Sequence, residues 1–325
     1  MKKTIAVTGV GGGVGQCVLK SLANTDYNLI ALDGEPLAAG LYMGNDAELI
    51  PYASTEEYIP RLLSICEEKK VSLLFPGLDA ELLQLSLNRQ KFKKIGTTVV
   101  VSDPNVIKIS DDKQETYNQL RKIGVSIPFT GPLDSFNADG SNFPVIVKPK
   151  IGGARSKDVY FIIDKAGWES LLENIKGKED DFIVMDYIDG DEYTCGTVNL
   201  DNSCKGVIIM RRILRSGDTH KSFVEKNDII EQEVRKVVES IKPFGGCNVQ
   251  LRFKDNTPYI FEINARCSGT TAARTLSGFN EPKMIADYLL QGIEPAYTIK
   301  EQTILRYWNE LVVDNDEVEK MYKKK

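Results

Sequence analysis

The chain is poor in the residues on which much enzyme chemistry rests. It has one histidine, His220, in 325 residues, so a Ser-His or Cys-His pair has little to draw on and the usual zinc sets cannot be completed. His220 itself sits in the polar stretch SGDTHKS and reads as a solvated loop residue. The six cysteines (Cys17, Cys66, Cys195, Cys204, Cys247 and Cys267) form no CxxC pair. They read as reduced thiols filling core space, which goes with a cytoplasmic setting. No apolar run approaches a membrane span, and the N-terminal lysines are not followed by the apolar stretch of a signal peptide. A net charge of −5 provides no general field for nucleic acid or an anionic membrane surface. Partners of both kinds are therefore not expected.

What remains is an ordinary globular composition, 42% hydrophobic and 27% charged, in a chain long enough for two or three domains. Strand patterns at 4–8, 28–33, 71–75 and 98–101 alternate with helical ones, notably 80–92, which predicts a parallel sheet covered by helices. A helix from Asp112 to Ile123 stops at Gly124. Beyond residue 144 the pattern becomes hairpin-rich α+β. Strands are expected at 145–149, 158–163, 182–187, 192–199, 206–214, 246–253 and 258–264, and helices at 165–175 and 228–241. The last residues, MYKKK, read as a loose tail.

The first turn, Thr8-Gly9-Val10-Gly11-Gly12-Gly13-Val14-Gly15, fits the TGxxGxxG spacing of short-chain dehydrogenases, and Asp33 stands where a ribose hydroxyl could be held. No tyrosine, however, is followed by lysine at the YxxxK spacing that such reductases need.

Residues 246–264, GCNVQLRFKDNTPYIFEIN, carry more chemistry. Alternation puts Asn248, Gln250 and Arg252 on one face of the first strand, opposite Cys247, Val249, Leu251 and Phe253. In the second strand it puts Ile260, Glu262 and Asn264 on one face and Tyr259, Phe261 and Ile263 on the other. A hairpin centred on Asn256 pairs Gln250 with Glu262 and Asn248 with Asn264. That gathers a carboxylate and amide oxygens beside Arg266, a donor set suited to Mg²⁺ carried by phosphates. An even-length loop would shift the register and scatter them. Upstream, Lys148 ends the apolar run 143–149 before the glycine loop at 152–157, and MDYIDGDE at 185–192 runs from an apolar strand into acids.

In this order the motifs resemble the ATP-grasp superfamily, in particular proteins similar to the carbamoyl-phosphate synthase large subunit. They are Asp112-Lys113, Val147-Lys148-Pro149 with Gly152-Gly153, Met185 to Glu192, Asn248-Val249-Gln250 and Phe261-Glu262-Ile263-Asn264-Ala265-Arg266. The likeness spans nearly the whole chain, since Pro76-Gly77-Leu78-Asp79-Ala80-Glu81-Leu82 looks like a strand-to-helix junction of the preceding domain. The fold implied is an α/β Rossmann-like (pre-ATP-grasp) domain at about 1–108, followed by an α+β ATP-grasp domain at about 109–300. The latter would divide into a small lid at about 127–190 and a larger part at about 191–300, with an extension at 301–325.

The resemblance also implies roles. Lys113 and Lys148 would contact nucleotide phosphates, and the loop with Gly152, Gly153 and Ser156 would close over them. Asp186, Tyr187 and Ile188 would meet adenine and Glu192 the ribose. Gln250, Glu262 and Asn264 would bind Mg²⁺ (or Mn²⁺), and Arg266 would steady the transferred phosphoryl group. Three departures stand out: Ala265 replaces a frequent proline, Asp186 replaces a glutamate, and Lys157-Asp158 stand where a further glycine is frequent.

The activity implied is ATP-dependent ligation of a small carboxylate to an amine or ammonia through an acyl phosphate, with homodimers common among such proteins. The arginines of 210–219 add candidates: Arg211 or Arg215 for a substrate carboxylate or phosphate, and Ser268 and Gly269 for the acceptor side. The rival readings are a nicotinamide-dependent reductase, resting on TGxxGxxG alone, and a non-catalytic ATP-binding protein.

Overall fold

In the computed structural model, which describes residues 2–44, 46–140, 143–152 and 157–324, the N-terminal domain begins with β1 (Thr4–Val7), the glycine turn and α1 (Gly13–Leu22). It continues through β2 (Asn28–Asp33), β3 (Asp46–Leu49), α2 (Tyr58–Glu68), β4 (Val71–Phe75), α3 (Asp79–Lys94) and β5 (Thr98–Val99). The strands pair in parallel in the order β3-β2-β1-β4-β5. Strand order therefore reverses between β1 and β4, which opens a crevice at their carboxyl ends. Glu81, at the third position of α3, is fully buried there and accepts from Thr8 Oγ1 at 2.7 Å, from the Gly77 and Leu78 N–H groups at 2.8 and 2.9 Å, and from the Tyr58 hydroxyl. The PGLDAE stretch is thus a helix-capping device that ties β1 to β4.

Next come α4 (Pro104–Asp111) and α5 (Lys113–Ile123). The Asp112 carboxylate caps α5 by accepting from Gln114 N at 2.8 Å, and Gly124 ends the helix with φ 72°. A four-stranded sheet of order β6-β9-β7-β8 follows: β6 (Thr130–Pro132), β7 (Val145–Pro149), β8 (Tyr160–Ile162) and β9 (Phe182–Asp186). With α6 (Lys165–Asn174) it closes a small core of its own around Val145, Val147, Trp168 and Val184.

The third sheet is antiparallel, of order β14-β13-β10-β11-β12-β15. Its members are β10 (Asp191–Leu200), β11 (Ser203–Arg215), β12 (Asp218–Val224), β13 (Gly245–Lys254), β14 (Thr257–Asn264) and β15 (Thr303–Leu305). The helix α7 (Asp228–Ile241) lays Ile230, Val234, Val237, Val238 and Ile241 on one face. Each of these residues is buried, worth about 1.5–3 kcal/mol. The other face of the large sheet packs on α9 (Glu281–Gln291), with α8 (Thr271–Leu276) beside it; their Ala273, Met284 and Ile285 share one core with Ile5 and Val7 of β1. The N-terminal domain and the large sheet are therefore welded by common apolar packing.

The C-terminal segment departs from expectation. β15 pairs with β12, so residues 303–305 belong to the large sheet. The tail is anchored rather than loose: α10 (Asn315–Tyr322) buries Met321, and Lys324 Nζ donates to the Ala47 carbonyl at 2.7 Å. Short strands of three or four residues, such as β3, β6 and β15, carry too little alternation to be read in advance.

Candidate active site

The hairpin β13–β14 brings Gln250 opposite Glu262 and Asn248 opposite Asn264. The route to that register differs from the expected one. The loop is the even one, Asp255-Asn256, with φ of 49° and 58°, a two-residue left-handed turn matched to strand twist. Lys254 pairs with Thr257 and Leu251 with Ile260, and the register then slips by one between Gln250 and Leu251. This β-bulge at Phe261 restores the pairing that the even loop would have broken. It also reverses the facing expected for part of β14: Ile260 joins Ile263 in the core beneath α7. The Phe261 carbonyl accepts from Tyr117 Oη at 2.9 Å and Lys148 Nζ at 3.2 Å. The bulge thus links the large sheet to β7 of the four-stranded sheet.

Glu262 is the focus. Its Oε1 accepts from Asn264 Nδ2 at 2.9 Å and Gln250 Nε2 at 3.3 Å, while no hydrogen bond between described residues uses Oε2. Arg266 adjoins Asn264 Oδ1 at 3.3 Å and makes a two-toothed ion pair with Asp79 at 2.7 and 2.9 Å. Asp79 is two residues before Glu81, so the capped start of α3 also aims the partner of Arg266. Although burial works against it, the Arg266 guanidinium holds the Asp79 carboxyl below the usual carboxylate range.

The cations converge from the other side. Lys148 is 4% exposed, with Nζ 3.2 Å from Tyr117 Oη and 5.5 and 5.6 Å from the Tyr117 and Phe261 ring centroids. Burial pushes its ammonium down to about 8, with Glu262 opposing. Lys113, the first residue of α5, donates to the Gly152 carbonyl at 2.6 Å and so holds the entry to the glycine loop. Burial lowers its pKa too, again with Glu262 opposing. Gly153 and Ser156 lie outside the described residues. A lysine that is charged only below about pH 8 in the free enzyme makes a prediction: kcat/KM for ATP should fall above about pH 8, and Lys148→Arg should remove that alkaline limb, as a pH–rate profile reads directly.

Past β9, the Tyr187 N–H is taken by the Pro144 carbonyl at 3.3 Å. Among the described residues the Ile188 N–H and Tyr187 C=O have no hydrogen-bond partner. They belong to one trans peptide unit and point in opposite directions, so one of them, not both, can meet the edge of a planar heterocycle. The Asp186 carboxyl beside them is raised by burial.

Three expectations are displaced. Glu192 is held by two arginines, Arg212 at 2.6 Å and Arg252 at 2.7 Å, rather than standing free for a sugar. Arg211 points to the opposite face, paired with Glu225 at 2.8 Å and stacked on Phe223, and Arg215 is exposed at the β11–β12 turn. The arginine on the face of Glu262 is Arg212, whose Nη2 donates to Gln250 Oε1 at 2.6 Å. The two-residue Asp201-Asn202 turn alone would set Glu192 opposite Arg211; a register slip between Val198 and Asn199 pairs Tyr193 with Arg211 instead and so brings Glu192 to Arg212. The bulge leaves no mark in the sequence pattern, so Arg212 had no local signal. The Ser268 hydroxyl is buried and spent on Thr270 at 2.6 Å, whereas a Cβ on Gly269 would face open space. Asn248 is drawn into a buried set with Thr194 and Arg274.

The donor set fits a metal that arrives with its nucleotide. It offers one carboxylate with a free oxygen and two amides, and no group of three or more His, Cys, Asp or Glu suited to a metal occurs among the described residues. Mg²⁺ commonly takes one or two carboxylates and completes its shell with water and phosphate. Gln250, Glu262 and Asn264 are the residues that would hold it.

The glycine turn, by contrast, is closed. Gly11 N donates to Asp33 Oδ2 at 2.7 Å, Glu35 N to Asp33 Oδ1 at 2.9 Å, and Gly12 N to the Gly9 carbonyl at 3.0 Å. Asp33 therefore braces the turn rather than waiting for a ribose, and two glycine donors that a pyrophosphate would use are taken.

Comparison with known proteins agrees with this division of labour. Residues 178–311 match the family model described as ATP-grasp in the biosynthetic pathway with Ter operon, and residues 5–100 match the PylC-like, N-terminal domain. D-alanine--D-alanine ligase A of Bacillus cereus is 23% identical over 261 residues, 76% of this chain and 72% of that protein. The carbamoyl phosphate synthase large chain of Mesorhizobium japonicum is 25% identical over 218 residues, covering 55% of this chain but only 18% of that much longer protein. The crystal structure of N5-carboxyaminoimidazole synthetase from Staphylococcus aureus, complexed with ADP, superposes with a TM-score of 0.72 at 17% identity, over 92% of this chain and 81% of that one. The chain thus has an α/β N-terminal domain followed by an ATP-grasp fold, with residues 178–311 matching an ATP-grasp model, and it is similar to the carbamoyl-phosphate synthase large chain and to D-alanine–D-alanine ligase.

Proposed function

We propose that the chain is an ATP-dependent ligase that joins a small carboxylate to an amine or ammonia through an acyl phosphate. The observation that carries this reading is the convergence of Glu262, Lys148, Lys113 and Arg266 from three elements on one point, with the Ile188 N–H past β9 unpaired among the described residues. Relatives bearing ligase and synthase names support it.

A carboxylate oxygen attacks the γ-phosphorus, the bond to the β-phosphate oxygen breaks, and ADP leaves. The amine nitrogen then attacks the acyl carbon, phosphate departs and one proton is lost. Both anionic reactants repel each other, so charge neutralisation and in-line holding are the main catalytic work. Lys148 and Lys113 offset phosphate charge from the lid side. Arg266, aimed by Asp79, stands where the transferred phosphoryl group passes. Glu262, oriented by Gln250 and Asn264, would hold the cation, which would supply charge neutralisation to the phosphates. None of these roles requires histidine, in keeping with a chain that has one.

The test is ADP release and hydroxamate formation with ATP, Mg²⁺, hydroxylamine and a pool of small carboxylates. Hydroxylamine traps an acyl phosphate whatever the natural amine. ADP and hydroxamate in equal amounts are the expected result; formation of AMP and pyrophosphate, or nucleotide binding with no turnover on any carboxylate, would argue against it.

A further inference from the structure

The carboxyl ends of β1, β2 and β4 frame a cavity of about 530 Å³ that the ATP-grasp site does not use. Its walls include Asp33, Glu35, Leu37, Ala38, Tyr52 and Leu78. Among the described residues no lysine or arginine lines it. Three of these residues, Leu37, Tyr52 and Leu78, are large hydrophobics exposed by 59%, 52% and 39% around one crevice. Such a concentration of exposed apolar surface, rimmed by polar groups, marks a binding site more often than a bare face.

We propose that this crevice seats the ligase's amine substrate, and that the substrate is an organic primary amine with a compact apolar body rather than ammonia. The inference rests on the ligase reading above. Three observations define the ligand class. Phosphate and dinucleotide are disfavoured, because the Gly11 and Gly12 N–H groups are internally bonded and the charged lining groups among the described residues are all carboxylates. An ammonium is favoured by those carboxylates. The Asp33 oxygens are shared with main-chain N–H groups, but Glu35 is exposed, and its Oε2 has only the Tyr52 hydroxyl at 3.4 Å. Lone pairs are thus left for a cationic head, and charge complementarity draws it in. The apolar walls and the volume, finally, would be idle around ammonia.

The crevice is coupled to the chemistry through the chain itself. Leu78 packs over the glycine turn, so closely that a Cβ on Gly9 would lie 2.6 Å from Leu78 Cγ. The next residue, Asp79, holds Arg266 at 2.7 Å. On the other side of the turn, α1 reaches the acceptor-side loop where Cys17 Sγ donates to the Gly269 carbonyl at 3.2 Å. An amine seated in the crevice is therefore flanked by one element that holds Arg266 and by another that touches the Gly269 loop next to it in sequence.

The experiment uses the full chain and two nucleophiles with the same carboxylate pool: hydroxylamine, which reads carboxylate activation alone, and a mixture of aliphatic, aromatic and amino-acid primary amines, each against ammonium chloride. For the wild type, ligation to a member of the amine mixture should have kcat/KM at least about a hundredfold above that for ammonium. Ala38→Trp, which fills the crevice, and the exposed Glu35→Gln should each raise the amine KM at least about tenfold while hydroxamate formation continues. Melting curves establish that each variant is folded, and Glu35→Gln serves if the bulkier one is not. Ammonium preferred over every amine, or amine KM unchanged in Glu35→Gln, would overturn the proposal with the ligase reading intact. Absence of any hydroxamate from the wild type would overturn both.

Discussion

Glu262→Gln should abolish catalysis while leaving the fold intact. The substitution keeps the shape of the side chain but removes the only carboxylate of the β13–β14 cluster, so the free oxygen that would anchor a cation becomes a weak neutral donor. Lys148 loses the one anion that offsets its burial, and Lys113 loses the foremost of three, the others being Asp111 and Asp112. Loss of one electrostatic contact at a reacting centre commonly costs a hundred- to a thousandfold. Hydroxamate formation should therefore fall by at least about a hundredfold, with an unchanged melting temperature. The half-buried carboxylate is not a packing element, so a variant that unfolds, or one that keeps more than about a tenth of the wild-type rate, would count against the role given to Glu262.

The largest stability effect should come from a pair outside the reacting centre. Arg274 and Glu281 are both fully buried, joined at 2.8 Å, with Thr271 Oγ1 on Glu281 at 2.6 Å and Thr194 on Arg274 at 3.1 Å. Arg274 Nε has no partner, so the arginine is only partly satisfied as it stands. Glu281→Leu would strand its charge in the core, at a cost of about 3–5 kcal/mol. Arg274→Met combined with Glu281→Leu removes both charges and should recover most of that loss. Gly196 belongs to the same set, because a Cβ there would collide with Glu281 Oε1 and Arg274 Nη1. Urea denaturation midpoints distinguish the outcomes. A single variant that loses under about 1 kcal/mol would mean that the pair adds little. The pair also reaches Asn248 on β13, two residues from Gln250, so its loss should loosen the metal-side hairpin as well.

Sequence pattern made the division into a parallel N-terminal sheet and a hairpin-rich remainder visible, because strand-helix alternation gives way to strand-strand alternation near residue 144. The pairing of Gln250 with Glu262 was legible for a reason that proved incomplete. Counting from an odd loop reaches the same register as an even loop plus a bulge, and a bulge leaves no mark in a hydrophobic pattern. Arg212 was harder to see than Arg211 and Arg215, since its importance comes from strand neighbours Glu192 and Gln250, which are distant in sequence. The reading of Asp33 failed for a similar reason. Its spacing from the glycines suits a ribose ligand, but only three-dimensional placement reveals that Gly11 and Glu35 already occupy both oxygens. Asp79, with its hold on Arg266, joins residues 187 positions apart and had no local signature.

The central claim is that one hairpin carboxylate seats a metal-borne adenine nucleotide. Calorimetric titration of the wild type with ADP, once with Mg²⁺ and once with a chelator, tests it most directly, with NADH as the alternative ligand. The account predicts one site for MgADP, at least about tenfold tighter than metal-free ADP, and no heat from NADH. Binding of NADH, or ADP affinity that ignores the metal, would contradict it.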